Sequence, residues 1–305
     1  MDMEPYMDME PYFDIESGRP LTPGDGCALE QWRRAVSGYR FALDPLGFPV
    51  FLGPDELEGS DEYAGGDPHQ VQEGMDGPFQ QRRVECTLAL LRTAIPRPEA
   101  PADLLDIGCG EGHLTERIRQ AFPGARIRAL DHSLSAVRIA AARFPKIAFC
   151  VADAYRPPYA DGSFDAVVCN NLWEHVPDPL RLLAGVRRVL KPGGALVLST
   201  PNRYRIENIA LILAGRPPIL MAPNHVTEYT RDQIKEQLAF GGFTLERVHS
   251  RPKKERVTDV QRFLGYRVLK PLAWTALRVI RSPHSLESTL FYLARREPVQ
   301  TGSST

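Results

Sequence analysis

The sequence predicts a doubly wound α/β domain, and three features carry that prediction. Short apolar runs alternate with helical patterns from Ala102 onward, a glycine-rich turn follows the first run, and the helices carry their own start and stop signals. The runs are Leu104–Ile107, Ile127–Leu130, Ile147–Val151, Ala166–Cys169 and Ala195–Leu198. Continuous apolar runs of this length suit parallel strands, because both faces of such strands are covered by helices. Helical patterns lie between them at His113–Phe122, Leu134–Phe144 and Pro179–Leu190. The last begins with Asp178 as N-cap and Pro179 at the first helical position, where a missing N–H costs nothing. Arg231–Phe240 opens with the capping box Thr230-x-x-Gln233 and stops at Gly241-Gly242. Phe243–Val248 and Leu290–Leu293 complete the pattern as two final strands, making seven. An amphipathic helix over Phe79–Ala94, with Val84, Leu88 and Leu91 on its apolar face, precedes the first strand and ends before Pro96 and Pro98.

The flanks differ from this core. Residues 1–78 carry 17 Asp/Glu against 4 Lys/Arg, whereas the rest of the chain carries 21 against 33. That segment, rich also in Pro and Gly, reads as a largely irregular acidic extension with one helical stretch near Ala28–Tyr39. It is either a solvated tail or a cover over a basic surface. The remainder, 79–305, reads as one domain with insertions at 202–229 and 251–287. Five scattered cysteines with no C-x-x-C argue against a disulfide framework or a zinc site and suit a reducing cytoplasm. The opening MDMEPYMDMEPY lacks the apolar core of a signal peptide, and no run approaches the roughly 18 apolar residues of a membrane span.

The strongest local signal is Leu104-Leu105-Asp106-Ile107-Gly108-Cys109-Gly110-Glu111-Gly112, a strand running into a glycine turn and then a helix. Glycine is needed where the backbone turns sharply or approaches a ligand closely. Asp131 ends the second strand, where a carboxylate can accept both hydroxyl hydrogens of a ribose. Taken alone, this fits any adenosine-containing cofactor. The dinucleotide spacing is G-x-G-x-x-G, however, and here the third glycine comes one residue early, with Glu111 inside the loop to repel a pyrophosphate. The balance moves from a nicotinamide cofactor toward one whose end at this loop carries no phosphate.

The segment resembles motif I of the class I S-adenosylmethionine-dependent methyltransferases, and later segments resemble the family's motifs in order. These are Arg128–Ser133, Val151–Ala154, Phe164–Asn170 and Leu190–Leu198. The resemblance implies a Rossmann-like, doubly wound seven-stranded sheet with an antiparallel last strand, and S-adenosylmethionine as cofactor. It also implies roles. Gly108 and Gly110 would pass under the methionine moiety, and Asp106 would orient its amino group. The Asn170 carbonyl would meet the same ammonium, and Arg83 would pair with the carboxylate. Asp131 would hold the ribose, His132 would pack on the adenine, and Asp153 with Ala154 would read the adenine edge.

After the fourth strand the chain reads Asn170-Asn171-Leu172-Trp173-Glu174-His175-Val176-Pro177. It lacks the Asn/Asp-Pro-Pro-aromatic run that methylates exocyclic base amines and any Pro-Cys nucleophile, so no nucleic-acid substrate is expected. The pattern resembles the small-molecule branch, including ubiquinone-biosynthesis-type O-methyltransferases. The expected acceptor is a hydroxyl on an apolar or amphiphilic metabolite. Methylation of nitrogen or carbon on a natural-product intermediate, and a non-catalytic cofactor-binding interaction protein, are the alternatives. A hydroxyl must lose its proton, and the candidate bases are His225 in the 202–229 insertion, read as a lid, and His175; Glu174 is a weaker candidate. No cluster shows metal-ligand spacing, so no metal is expected. The 251–287 insertion interleaves nine Lys/Arg with Phe263, Leu264, Tyr266, Leu269, Leu272, Trp274 and Leu277. It is read as a helix pair packed on the body or as a peripheral membrane contact, with Pro271 interrupting its pattern.

Overall fold

The computed structural model describes residues 12–14, 16–32, 40–57, 61, 77–250, 270–279, 282 and 284–298. The body strands are β4 (Ala102–Ile107), β5 (Ala125–Asp131), β6 (Ala148–Val151), β7 (Phe164–Asn170), β8 (Leu190–Pro201), β9 (Phe243–His249) and β10 (Thr289–Arg296). The extension adds β1 (Gly26–Ala28), β2 (Phe41–Leu43) and β3 (Pro49–Val50). All belong to one sheet in the order β1-β2-β3-β6-β5-β4-β7-β8-β10-β9. Strands β4 to β8 are mutually parallel, and β10 runs antiparallel to both β8 and β9.

Among the described residues the sheet therefore has ten strands, not the seven read from the sequence. The three extra strands are two or three residues long and bounded by Gly, Pro and Asp, too short for an apolar run to register. They are not loose. Val50 pairs in parallel with Val151, and the Phe51 amide donates to the Val151 carbonyl at 2.8 Å. One-turn helices α1 (Leu29–Trp32) and α2 (Pro54–Leu57) flank these strands, and the Trp32 indole N–H donates to the Leu52 carbonyl at 2.7 Å. Of the stretch expected to be helical near Ala28–Tyr39, residues 33–39 lie outside the described ones.

Strand alternation divides the core between two faces. Leu105, Ile107, Val167 and Leu196 join one cluster with Leu182, Val186, Ile234 and Leu238, which belong to helices α6 (Pro179–Val189) and α8 (Arg231–Phe240). Leu104, Ala129, Val168 and Val197 join the other with Leu90, Leu91, Ile118 and Val137. Those come from α3 (Pro78–Ala94), α4 (His113–Ala121) and α5 (Leu134–Arg143). Both faces of the parallel strands are buried, which is why their runs are continuous. The caps also form. Asp178 Oδ1 accepts the Arg181 amide at 3.0 Å, and Thr230 and Gln233 satisfy each other's backbone N–H groups.

Two insertions stand on this frame. The first contains α7 (Ile206–Leu213), whose amphipathicity is inverted: Asn208 is buried, whereas Leu213 is 83% exposed. Ile212, Ile219, Leu220 and Met221 are exposed beside it. In the second, α9 spans Lys270–Val279. Pro271 is its second described residue, and the helix continues from there to Val279. Residues 251–269 of that insertion lie outside the described ones. No helix among the described residues is long and apolar enough to cross a membrane.

Candidate active site

Gly108 and Gly110 follow β4 with φ of 75° and 53°, a left-handed region that side chains disfavour. A Cβ on Gly108 would also meet the Leu172 side chain at 3.2 Å. The turn is tied to the end of β5, because Asp131 Oδ2 accepts the Gly110 amide at 2.7 Å and Asp131 Oδ1 accepts the Ser133 amide at 2.9 Å. Burial raises the Asp131 pKa, and these two bonds only partly oppose it. Each oxygen still has a lone pair to offer a ligand.

Beside this turn lies a cavity of about 460 Å³ at the carboxyl ends of the strands, where switch-point ligands bind. Five of the sequence-derived cofactor candidates line it: Gly108, Asp131, His132, Asp153 and Ala154. So do Glu56 and Asp61 of the extension, which composition alone had grouped with an acidic tail. Asp61 accepts the Ser133 hydroxyl at 2.5 Å and the Ser135 amide at 3.1 Å, bracing the start of α5. Four carboxylates line the cavity, and no Lys or Arg does among the described residues.

The remaining candidates stand behind this lining. Asp106 is buried and accepts the Thr115 hydroxyl at 2.7 Å; burial pushes its pKa up to about 6, against that bond and the nearby Arg83. Asn170 donates to Thr87 Oγ1 at 2.8 Å, while its Oδ1 is buried with no hydrogen bond.

His175 lines the same cavity, and His225 meets it edge to face with ring centroids 4.9 Å apart. The sequence distance of 50 residues is closed because the backbone amide of Val226 donates to the Glu174 carbonyl at 2.8 Å. Glu174 is buried, and burial pushes its pKa up to about 7 despite the neighbouring His225 and the Asn171 amide, which donates to it at 3.1 Å. Asn171 has a φ of 52°, the one positive value outside glycine among the described residues. Such strain persists where surroundings over-determine it, and here Ser199 donates to Asn171 Oδ1 at 3.0 Å.

Donor atoms of Glu174, His175 and His225 lie within 4.8 Å of one another, a set whose chemistry could hold a divalent cation. The linear spacing of these residues did not show this grouping. Reasoning from sequence also missed Glu228, whose Oε1 lies 3.0 Å from His225 Nδ1, and Arg205, which pairs with the same carboxylate. The His225-x-x-Glu228 spacing was a visible signal. Arg205 offered none.

A methyltransferase-domain model matches residues 105–198, which include the glycine turn, Asp131, Asp153 and His175. The chain is 38% identical to a malonyl-[acyl-carrier protein] O-methyltransferase of Hahella chejuensis, over 35% of this chain and 39% of that protein. It is 36% identical to a ubiquinone biosynthesis O-methyltransferase of Xanthomonas axonopodis pv. citri, over 52% of this chain and 68% of that protein. The chain belongs to the S-adenosylmethionine-dependent methyltransferase family. Across these curated relatives the match spans between 39% and 68% of their own length. The fold also resembles magnesium protoporphyrin IX methyltransferase of Synechocystis PCC 6803, with a TM-score of 0.51, 17% identity, and coverage of 77% of this chain and 91% of that one.

As a member of this methyltransferase family the protein uses S-adenosylmethionine, and the cavity suits that cofactor. Its volume is ample for a nucleoside with an amino-acid tail. Four lining carboxylates would repel a pyrophosphate and attract a sulfonium, and Asp131 has acceptor capacity for ribose hydroxyls. The unused Asn170 Oδ1 adds a buried acceptor at the end of β7.

Proposed function

We propose that this methyltransferase methylates a hydroxyl of an apolar or amphiphilic small molecule, with His225 as general base. The observation that carries the reading is the contact of His225 with His175 at the cofactor cavity. Bound S-adenosylmethionine supplies a methyl carbon activated by its sulfonium for in-line displacement by the acceptor oxygen. The protein then has to align that oxygen and remove its proton. In this reading Asp131 holds the ribose, and Asp153, Ala154 and His132 hold the adenine. Gly108 and Gly110 admit the methionine moiety, which Asp106, the Asn170 carbonyl and Arg83 anchor. His225 takes the hydroxyl proton, and His175 orients the acceptor.

The apolar surface of the 202–229 segment supports a lipophilic acceptor. Ile212, Leu213, Ile219, Leu220 and Met221 are each exposed, and such apolar side chains call for a ligand or partner. The names of the two relatives point the same way, since both are O-methyltransferases. We place the protein in the cytoplasm, with α9 as a peripheral membrane contact. Exposed Leu272 and Val279 on α9 support that contact.

The test is transfer of labelled methyl groups to a panel of catechols with and without an alkyl chain, beside tRNA, DNA and amine acceptors. The expected result is transfer to phenolic oxygen, faster with the alkyl chain. Faster transfer to nucleic acid or to nitrogen overturns the reading.

A further inference from the structure

The buried pair Arg205–Glu228 is an unusual object for an exposed insertion. The Glu228 side chain is fully buried and that of Arg205 nearly so. Burying both ions carries a desolvation cost that hydrophobic packing would avoid, so a further role for the pair is worth seeking. Three partners surround the Glu228 carboxylate. Arg205 and the Met221 amide donate to the carboxylate, and the remaining contact is His225 Nδ1 at 3.0 Å. Burial pushes the Glu228 pKa up, but the bonds from His225, Met221 and Arg205 outweigh it and hold the group ionised, below the usual range. Arg205 is itself fixed, donating to the Ile219 carbonyl, while Asn208 bonds both the Ile219 amide and its carbonyl.

We infer that Glu228, held by Arg205, is a positioning residue that fixes His225 as the Nδ1–H tautomer and leaves Nε2 as the proton-accepting nitrogen. The inference rests on the reading of His225 as general base. An ionised carboxylate can only accept a hydrogen bond, so the ring nitrogen facing it must carry the proton. The other ring nitrogen then holds the lone pair that base catalysis requires, and the carboxylate stabilises the imidazolium formed when the acceptor hydroxyl gives up its proton. The other titratable groups around His225 among the described residues are His175, in ring contact, and Glu174, whose carbonyl binds the Val226 amide. Neither bonds His225 Nδ1, so Glu228 is the acceptor that meets that nitrogen among the described residues.

Two measurements test this. In the intact wild-type protein loaded with S-adenosylhomocysteine, nitrogen NMR of labelled histidine should find His225 protonated at Nδ1 and bare at Nε2; the reverse tautomer overturns the inference. The second compares Glu228→Gln, which keeps an acceptor for Arg205, with His225→Ala, using an alkyl catechol as acceptor. Glu228→Gln should lower kcat by about a hundredfold or more while the cofactor Kd changes less than about threefold. In Glu228→Gln the nitrogen NMR should show the Nδ1–H preference of His225 lost, because the group that can only accept is gone. A purely structural role would leave the tautomer in place and overturn the inference. If His225→Ala keeps full turnover, the base reading itself falls. If His225→Ala is inactive and Glu228→Gln keeps both rate and tautomer, only the positioning role falls. Loss of wild-type turnover on chelation, restored by magnesium or zinc, would make the histidines ligands and overturn both.

Discussion

The Asp131 carboxylate accepts the backbone amide of Gly110 at 2.7 Å across 21 residues, so the group that would hold the ribose also holds the glycine turn in place. Cofactor contact and loop shape therefore depend on one side chain. Asp131→Ala should weaken S-adenosylhomocysteine binding by about 1–3 kcal/mol, or roughly 5- to 150-fold in Kd. Asp131→Asn, which keeps one acceptor oxygen, should lose less. Isothermal calorimetry on the three proteins checks both the size and the order.

Asp61 braces the same cavity from the extension, holding the Ser133 hydroxyl whose oxygen caps α5 through the Ala136 amide at 3.0 Å. Asp61→Ala should weaken cofactor binding by about 1 kcal/mol, the scale of a lost helix cap. It should also raise proteolysis of residues 40–61. An unchanged affinity would leave the extension with no part in the site.

Gly112 starts α4 with a φ of 76°, and a Cβ there would stand 2.9 Å from the Phe149 ring and 3.1 Å from Ala140. Strain and overpacking add, so Gly112→Ala should destabilise the protein by roughly 2–4 kcal/mol. Urea denaturation measures this directly.

Glu174 produces a pH dependence of known sign. Its folded pKa is raised from 4.5 to about 7 by burial, so the folded state binds the proton more tightly than the unfolded chain does. The stability this contributes is complete below pH 4.5 and is lost as pH rises through about 7, by about 3 kcal/mol in all. Glu174→Gln should remove that slope. The difference between the two proteins in urea midpoint, measured from pH 5 to pH 8, isolates it from other titrating groups.

Leu213 is almost wholly exposed, so Leu213→Glu should change stability by less than about 0.5 kcal/mol. If the surface it belongs to receives a lipophilic acceptor, the same substitution should raise KM for an alkyl catechol several-fold while leaving the short catechol unaffected. Equal KM values for both acceptors would remove this surface from the acceptor site.

The parallel half of the fold was legible because burial on both faces writes continuous apolar runs, as at Val167–Cys169, and because Asp178 and Thr230 announce their helices. The turn Gly108–Gly112 was legible because few other residues tolerate such backbone. Strands β1 to β3 were not. Phe41–Leu43 and Pro49–Val50 pair with each other over only two residue pairs and join the body through Val50 and Val151, a hundred residues apart, which no local period records. His175 and His225 were both readable as candidates, but their contact was not, since it depends on Val226 reaching the Glu174 carbonyl. The inward face of α7 was hidden for a simple reason. Its one buried residue is Asn208, while Ile212 and Leu213 are exposed, the reverse of the pattern that periodicity assumes.

Strand β6 would be the outer edge of this sheet without β3, and β3 covers it at Val151. A bare edge strand with the run Ala148–Val151 is a template for cross-chain pairing and fibril growth. By laying short strands beyond it, with Pro49 on β3 and the charged flank Arg40–Asp44 around β2, the extension ends the sheet in pieces too small to recruit another chain. A protein trimmed of β1 to β3 should therefore precipitate at concentrations where the full chain stays dispersed.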